Sequence, residues 1–152
     1  MTKPIQVLLV EDNPGDAHLT REALEASRLR IELSVVADGV QAMAFLNRRG
    51  EFAQALRPQL ILLDLNLPKK DGRQVLADIK SDPALSGIPV LVLTSSDAEK
   101  DVSNSYALGA SRYLIKASDL RGLQGMVDSV EQFWHSFVAG QLSPAQSGGG
   151  GA

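Results

Sequence analysis

Five short apolar runs punctuate the chain: Ile5–Val10, Ile31–Val36, Leu60–Leu63, Val90–Leu93 and Tyr113–Ile115. Most are unbroken rather than alternating and rich in Val, Ile and Leu, which is how strands buried on both faces read. The segments between them carry helical spacing. The first, Pro14–Ser27, sets Leu19, Ala23 and Leu24 on one side. Asn13 stands at its N-cap, Pro14 at the first helical position and Asp16 in the first turn. A second helix is predicted over Val40–Arg49, with Gly50 as C-cap and Arg48 and Arg49 at its negative end. Further helices are predicted over Arg73–Lys80, Ala98–Leu108 and Leu120–Leu142, whereas Glu51–Gln59 reads as a loop.

Strand alternating with helix five times, without hairpin signals, implies a parallel sheet covered on both faces. The predicted fold is α/β: a doubly wound five-stranded parallel sheet in the flavodoxin-like order 2-1-3-4-5. Length adds that one domain accounts for the 152 residues, assigned to 1–142, and that 143–152, with four consecutive glycines, forms a flexible tail. The net charge of -3 argues against a general nucleic-acid binder, which needs a cationic face. With no cysteine there are no disulfides or thiolate metal sites. The amino terminus meets Glu11 and Asp12 too early for a secretory signal, and no apolar window is long enough to span a bilayer. The expected location is the cytoplasm.

In open α/β sheets ligands bind beyond the carboxyl ends of the strands, where strand order reverses. The first run ends in Glu11 and Asp12, the third in Asp64, the fourth in Thr94 and Ser95, and the fifth in Lys116. Three carboxylates, a hydroxyl and an ammonium thus converge on one rim. Two carboxylates about 4 Å apart repel by roughly 4 kcal/mol at an effective dielectric near 20. Lys116 offsets one charge, and a divalent cation offsets the other two. An all-oxygen set with few protein ligands suits Mg²⁺. A carboxylate beside such a cation, an amine and a hydroxyl is arranged to attack a phosphoryl group and hold the acyl phosphate.

Competing chemistries fail on particular residues. A nucleotide-binding turn would place glycines after the first strand, but Glu11-Asp12-Asn13-Pro14 stands there and repels phosphate unless a metal intervenes. A haloacid-dehalogenase-type phosphatase needs a second Asp two positions beyond its nucleophile; here that position is Asn66, which transfers no proton at neutral pH. A slow Mg²⁺-dependent phosphohydrolase using Asp64, and a scaffold that never uses its phosphate, remain as alternatives to a phosphoacceptor switch.

The ordered set Glu11-Asp12, Leu62-Leu63-Asp64-Leu65-Asn66-Leu67-Pro68, Asp71-Gly72, Thr94-Ser95, Gly109-Ala110 and Tyr113-Leu114-Ile115-Lys116 resembles the CheY-like receiver domains of two-component response regulators. The resemblance spans roughly Ile5 to Phe137. It implies a signalling switch rather than an enzyme, with Asp64 accepting phosphate from a sensor kinase histidine. Asp12, Asp64 and the Asn66 backbone carbonyl would ligate Mg²⁺, with Glu11 acting through water. Thr94 would hydrogen-bond a phosphoryl oxygen, and Lys116 would pair with the phosphate. On phosphorylation Thr94 would move inward and Tyr113 would follow, altering the face of the fourth helix, fifth strand and fifth helix. Two positions depart from the usual pattern: Ala117 replaces the common cis-proline after the lysine, and Ser95 replaces the common alanine after the threonine. A domain that uses nearly the whole chain leaves no expected DNA-binding output.

Phe133, Trp134 and Phe137 crowd into the last predicted helix, and Leu120, Leu123, Val127, Val130, Trp134 and Phe137 form one stripe. A 23-residue helix extends about 35 Å, against about 17–20 Å for a buried strand. The distal aromatics are therefore expected at an interface, in a homodimer built on the fourth helix–fifth strand–fifth helix face. Asn13-Pro14-Gly15-Asp16, Leu67-Pro68-Lys69-Lys70-Asp71-Gly72, Ser105-Tyr106 and Phe133-Trp134 are similar to stand-alone response regulators paired with bacterial phytochromes. That similarity implies a red-light-sensing histidine kinase upstream. His18 and His135 share no metal spacing and read as helix-surface residues.

Overall fold

The computed structural model describes residues 3–94, 106–116 and 119–142. Its elements are β1 (Ile5–Val10), α1 (Pro14–Glu25), β2 (Ile31–Val36), α2 (Gly39–Leu46), a 3₁₀ turn (Gly50–Phe52), β3 (Leu60–Asp64), α3 (Gly72–Ser81), β4 (Val90–Thr94), β5 (Arg112–Ile115) and a C-terminal helix (Leu120–Leu142). Every strand pair is parallel and the order is β2-β1-β3-β4-β5, as the alternation of runs predicted. The predicted helix Ala98–Leu108 falls mainly outside the described residues, as do Ser95, Ala117 and the 143–152 tail.

The apolar runs are unbroken because each face of the sheet has its own cover. Leu8, Val10, Ile61, Leu63, Val90 and Val92 pack with Ala42, Phe45 and Leu46 of α2 and Val75, Leu76 and Ile79 of α3. Val7, Leu9, Leu60, Leu62, Leu91 and Leu93 point the other way, onto Ala17 and Leu24 of α1 and Leu123, Met126, Val127, Val130 and Phe133 of the C-terminal helix. The period of two thus survives in the packing even though no polar residue marks it between Val7 and Val10, Leu60 and Leu63, or Val90 and Leu93. Edge strands β2 and β5 are only partly buried.

Element ends carry most of the differences from expectation. Asn13 caps α1 as predicted, accepting the Asp16 N–H at 2.9 Å, but that helix stops at Glu25 rather than Ser27. Helix α2 ends at Leu46, three residues short of Arg49. There Arg48 adopts a left-handed φ of 55°, its N–H donates to Phe45 O, and the Arg49 N–H donates to Ala44 O at 2.9 Å. This is a Schellman end in which an arginine occupies the position expected of Gly50. Gly50 instead opens the 3₁₀ turn, so Glu51–Gln59 is not wholly irregular. Phe52 in that turn meets Phe45 with ring centres 5.3 Å apart.

Two glycines let loops approach the strand ends. A Cβ at Gly72 would lie 2.4 Å from the carbonyl oxygen of Asp64, and one at Gly39 would lie 2.1 Å from that of Lys70. Helix α3 therefore starts directly against the end of β3, and the β3–α3 loop rests on the start of α2.

Candidate phosphoryl-transfer site

Four strand ends supply the site. Asp64 and Thr94 are the last residues of β3 and β4, and Glu11 and Lys116 follow β1 and β5. The parallel ladder carries on past the strands: the Glu11 N–H donates to Val36 O at 3.0 Å and the Lys116 N–H to Thr94 O at 2.7 Å. Backbone pairing thus fixes where these side chains begin. Glu11 (3% exposed), Asp64 (4%) and Thr94 (1%) are buried, whereas Asp12 is exposed.

Lys116 ties the acids together. Its Nζ lies 2.8 Å from Glu11 Oε1, 3.1 Å from Asp64 Oδ2 and 2.9 Å from Asp16 Oδ2. An ammonium has three N–H donors, so three carboxylates use them all. The other oxygens of the buried acids are also met: Asp64 Oδ1 accepts the Asn66 N–H at 2.9 Å, and Glu11 Oε2 accepts the Asn13 N–H at 3.2 Å. Burial raises the Glu11 carboxyl above its ordinary range, and the nearby Asp64 charge adds to that, against the opposing pull of Lys116 and the Asn13 N–H. For Lys116 burial alone would lower the value; hydrogen bonds to Glu11, Asp16 and Asp64 overturn it and hold the ammonium above the ordinary lysine value.

One carboxylate oxygen from each of Glu11, Asp12 and Asp64 can meet within 4.8 Å. Three hard oxygen donors, two of them buried and one facing water, form the donor set of a divalent cation that keeps some of its waters. The residues present therefore fit such an ion.

The structure brings together Glu11, Asp12, Asp64 and Lys116 as the strand-end argument expected, with Thr94 buried at the adjacent strand end. Tyr113 stands opposite Val92 on β5, half-buried against the α2–α3 side. Asn66 is exposed two residues beyond Asp64. Asp16 joins the site although the sequence marked it only as a first-turn acid; the available signal was that the start of α1 follows β1 onto the same rim. Lys69 and Lys70 are paired within the chain, Lys69 with Asp38 at 3.5 Å and Lys70 with Asp78. His18 is exposed on α1, 2.9 Å from Glu22, and His135 is exposed on the C-terminal helix.

The C-terminal aromatics separate. Phe133 is 8% exposed, under the guanidinium of Arg112 at 5.4 Å, and belongs to the core. Phe137 is half-buried, 5.7 Å from Phe133 and 5.8 Å from Trp134. Trp134 packs against the same core cluster as Phe137 and also lines a groove of about 1060 Å³ with Ile5, Arg28 and Leu29. The distal helix is therefore partly covered by its own chain. Among the described residues no helix is long and apolar enough to cross a membrane.

Comparison with known proteins agrees with this geometry. The response regulator receiver domain model matches residues 7–128. The chain is 52% identical over 131 residues to response regulator Rcp1 of Synechocystis sp., covering 86% of this chain and 89% of that protein. The crystal structure of Mn²⁺-bound Rcp1 superposes with a TM-score of 0.79 over 86% of this chain and 94% of that one. The phosphorylated cyanobacterial phytochrome response regulator RcpA is 50% identical, with a TM-score of 0.81 over 89% of this chain and 96% of that one. Strand order, strand-end chemistry and these relatives agree that the chain belongs to the response regulator receiver domain family.

Proposed function

We propose that Asp64 is the phosphoacceptor of a cytoplasmic phosphorelay switch, charged by a histidine kinase of the phytochrome type. The observation that carries this reading is the buried Asp64 carboxylate held 3.1 Å from the Lys116 ammonium, in a pocket that also contains Glu11. A carboxylate oxygen of Asp64 attacks the phosphorus of the kinase phosphohistidine. An O–P bond forms as the P–N bond breaks, and the electron pair returns to the imidazole nitrogen. Lys116 pairs with the transferred phosphoryl oxygens, and the buried Thr94 hydroxyl donates to one of them. Mg²⁺, held by Asp12, Asp64 and the Asn66 carbonyl with Glu11 acting through water, would neutralise charge at the phosphoryl oxygens.

Asn66 supplies no general base, so the acyl phosphate outlives its formation and the molecule signals instead of turning over. Thr94 and Tyr113 sit on the two strands nearest that edge of the sheet, and they carry the change outward. The reading face is β5 with the C-terminal helix, and a second copy docks there around Phe137. The phytochrome assignment rests on the relatives.

Incubating the protein with acetyl phosphate and MgCl₂ tests the acceptor. Intact mass should rise by one phosphoryl group in the wild type and stay unchanged in Asp64→Asn. An equal adduct on both proteins would overturn the assignment, as would none on the wild type. Transfer from a phosphorylated phytochrome kinase, faster than from an unrelated kinase, checks the partner.

A further inference from the structure

Lys116 has one more carboxylate than the phosphoryl-transfer reading requires. Glu11 and Asp64 belong to the acidic set that can meet at one cation position, together with Asp12. Asp16 does not, yet its Oδ2 lies 2.9 Å from Lys116 Nζ. Its place is fixed from the backbone outward. Asn13 caps α1, and its Oδ1 holds the Asp16 N–H at 2.9 Å. The cap thereby anchors the first turn from which the Asp16 side chain reaches Lys116. An acid in the first turn is favoured by the helix dipole in any protein. A dipole preference alone does not supply a contact with the end of β5.

The consequence appears when a phosphoryl group arrives. All three Lys116 N–H groups already have acceptors, so a phosphoryl oxygen must displace one of them. Asp64 gives up its carboxylate charge as it becomes the acyl phosphate. Glu11 is buried at the cation position. Asp16 alone keeps its full charge and has no other role in the transfer, so it stays on the lysine and contests it. Resting on the reading of Lys116 as the phosphoryl partner, we propose that Asp16 is a positioning residue that holds Lys116 against α1 and competes with the incoming phosphoryl group for it, thereby restraining phosphoryl uptake. Neutralising Asp16 leaves at most a neutral acceptor on that Lys116 N–H, which a phosphoryl oxygen displaces more readily. It also removes an anion from the path of an anionic donor.

The test uses the full chain with acetyl phosphate and MgCl₂ at donor concentrations below saturation. Asp16→Asn, which keeps the helix start and loses the charge, should form the Asp64 adduct about two- to fivefold faster than wild type, the scale of one partly exposed ion pair. Asp16→Glu should return the rate toward wild type. The Lys116 ammonium ¹⁵N resonance, assigned by its loss in Lys116→Met, should move in Asp16→Asn and return in Asp16→Glu. A merely structural role at the helix start would not move that signal. An unchanged or slower rate in Asp16→Asn, or an unmoved resonance, overturns the proposal while leaving Asp64 as acceptor. An adduct that persists in Asp64→Asn would instead overturn the underlying reading.

Discussion

Gly72 opens α3 so close to Asp64 that a methyl group at Gly72 would stand 2.4 Å from the Asp64 carbonyl oxygen. The Gly72 N–H also donates to Leu65 O at 2.9 Å, so the contact is held from the backbone on both sides. A single missing side chain therefore sets the distance between the helix and the candidate acceptor.

Gly72→Ala should force those backbones apart. Overpacking of this kind costs about 1–3 kcal/mol, and urea denaturation should show a lowered midpoint. Because the displaced residue is Asp64 itself, adduct formation with acetyl phosphate should slow under conditions where the variant is still folded. A variant as stable and as fast as wild type would mean that the close approach is dispensable.

At the end of α2, Arg48 spends left-handed backbone on a side chain that is exposed and makes no required contact. A left-handed non-glycine residue costs roughly 1–2 kcal/mol, part of which glycine returns as unfolded-state entropy. Arg48→Gly should therefore stabilise the protein by about 0.5–1 kcal/mol. Its thermal midpoint should rise, and its rate of adduct formation should match wild type.

The pH dependence of Lys116 has a definite sign. Burial would lower its value, but Glu11, Asp16 and Asp64 together hold it above the ordinary 10.5. The folded value exceeds the unfolded one, so this contribution to stability is complete below about 10.5 and disappears as pH rises through the folded value. Wild type should lose its urea-midpoint advantage over Lys116→Met in strongly alkaline buffer. An advantage that stays constant across that range would count against the three-carboxylate arrangement.

Assembly divides the aromatics of the C-terminal helix. Phe133 lies in the core, so Phe133→Ala should cost about 3–5 kcal/mol of folding stability and report little about association. Phe137 stacks on Phe133, which lies under Arg112 of β5, whereas Trp134 lines the groove beside Arg28 and Leu29. If copies pair through β5 and the C-terminal helix, sedimentation velocity should move toward monomer in Phe137→Ala and much less in Trp134→Ala. The opposite ranking would place the contact on the groove.

The inner strands were legible because strands buried on both faces leave nearly unbroken apolar runs, and Ile5–Val10 matches β1 residue for residue; Ile31–Val36 matches the edge strand β2 equally well although Glu32 and Ser34 interrupt it. Asp64, the candidate acceptor, with the acids after β1 and the lysine after β5, was legible for a topological reason, since each directly follows a run. Asp16 was not, because it comes one turn into a helix, where an acid already has a local explanation. The end of α2 was misplaced for a related reason. Glycine is the usual left-handed residue, and Gly50 does take that conformation, but Arg48 takes it two residues earlier and closes the helix there. The division of Phe133 from Trp134 depends on which side of the helix β5 occupies, and a stripe of apolar positions does not carry that information.

The distribution of the site over β1, β3, β4 and β5 reaches beyond chemistry. Glu11 and Lys116 come from opposite ends of the sequence and meet only when every intervening strand has found its register. A chain still on its way to the native state, or one that has lost the edge strand β5, has no assembled candidate site to offer. Phosphate on Asp64 would then double as quality control, because only finished molecules could enter the signalling pool and misfolded copies would stay silent.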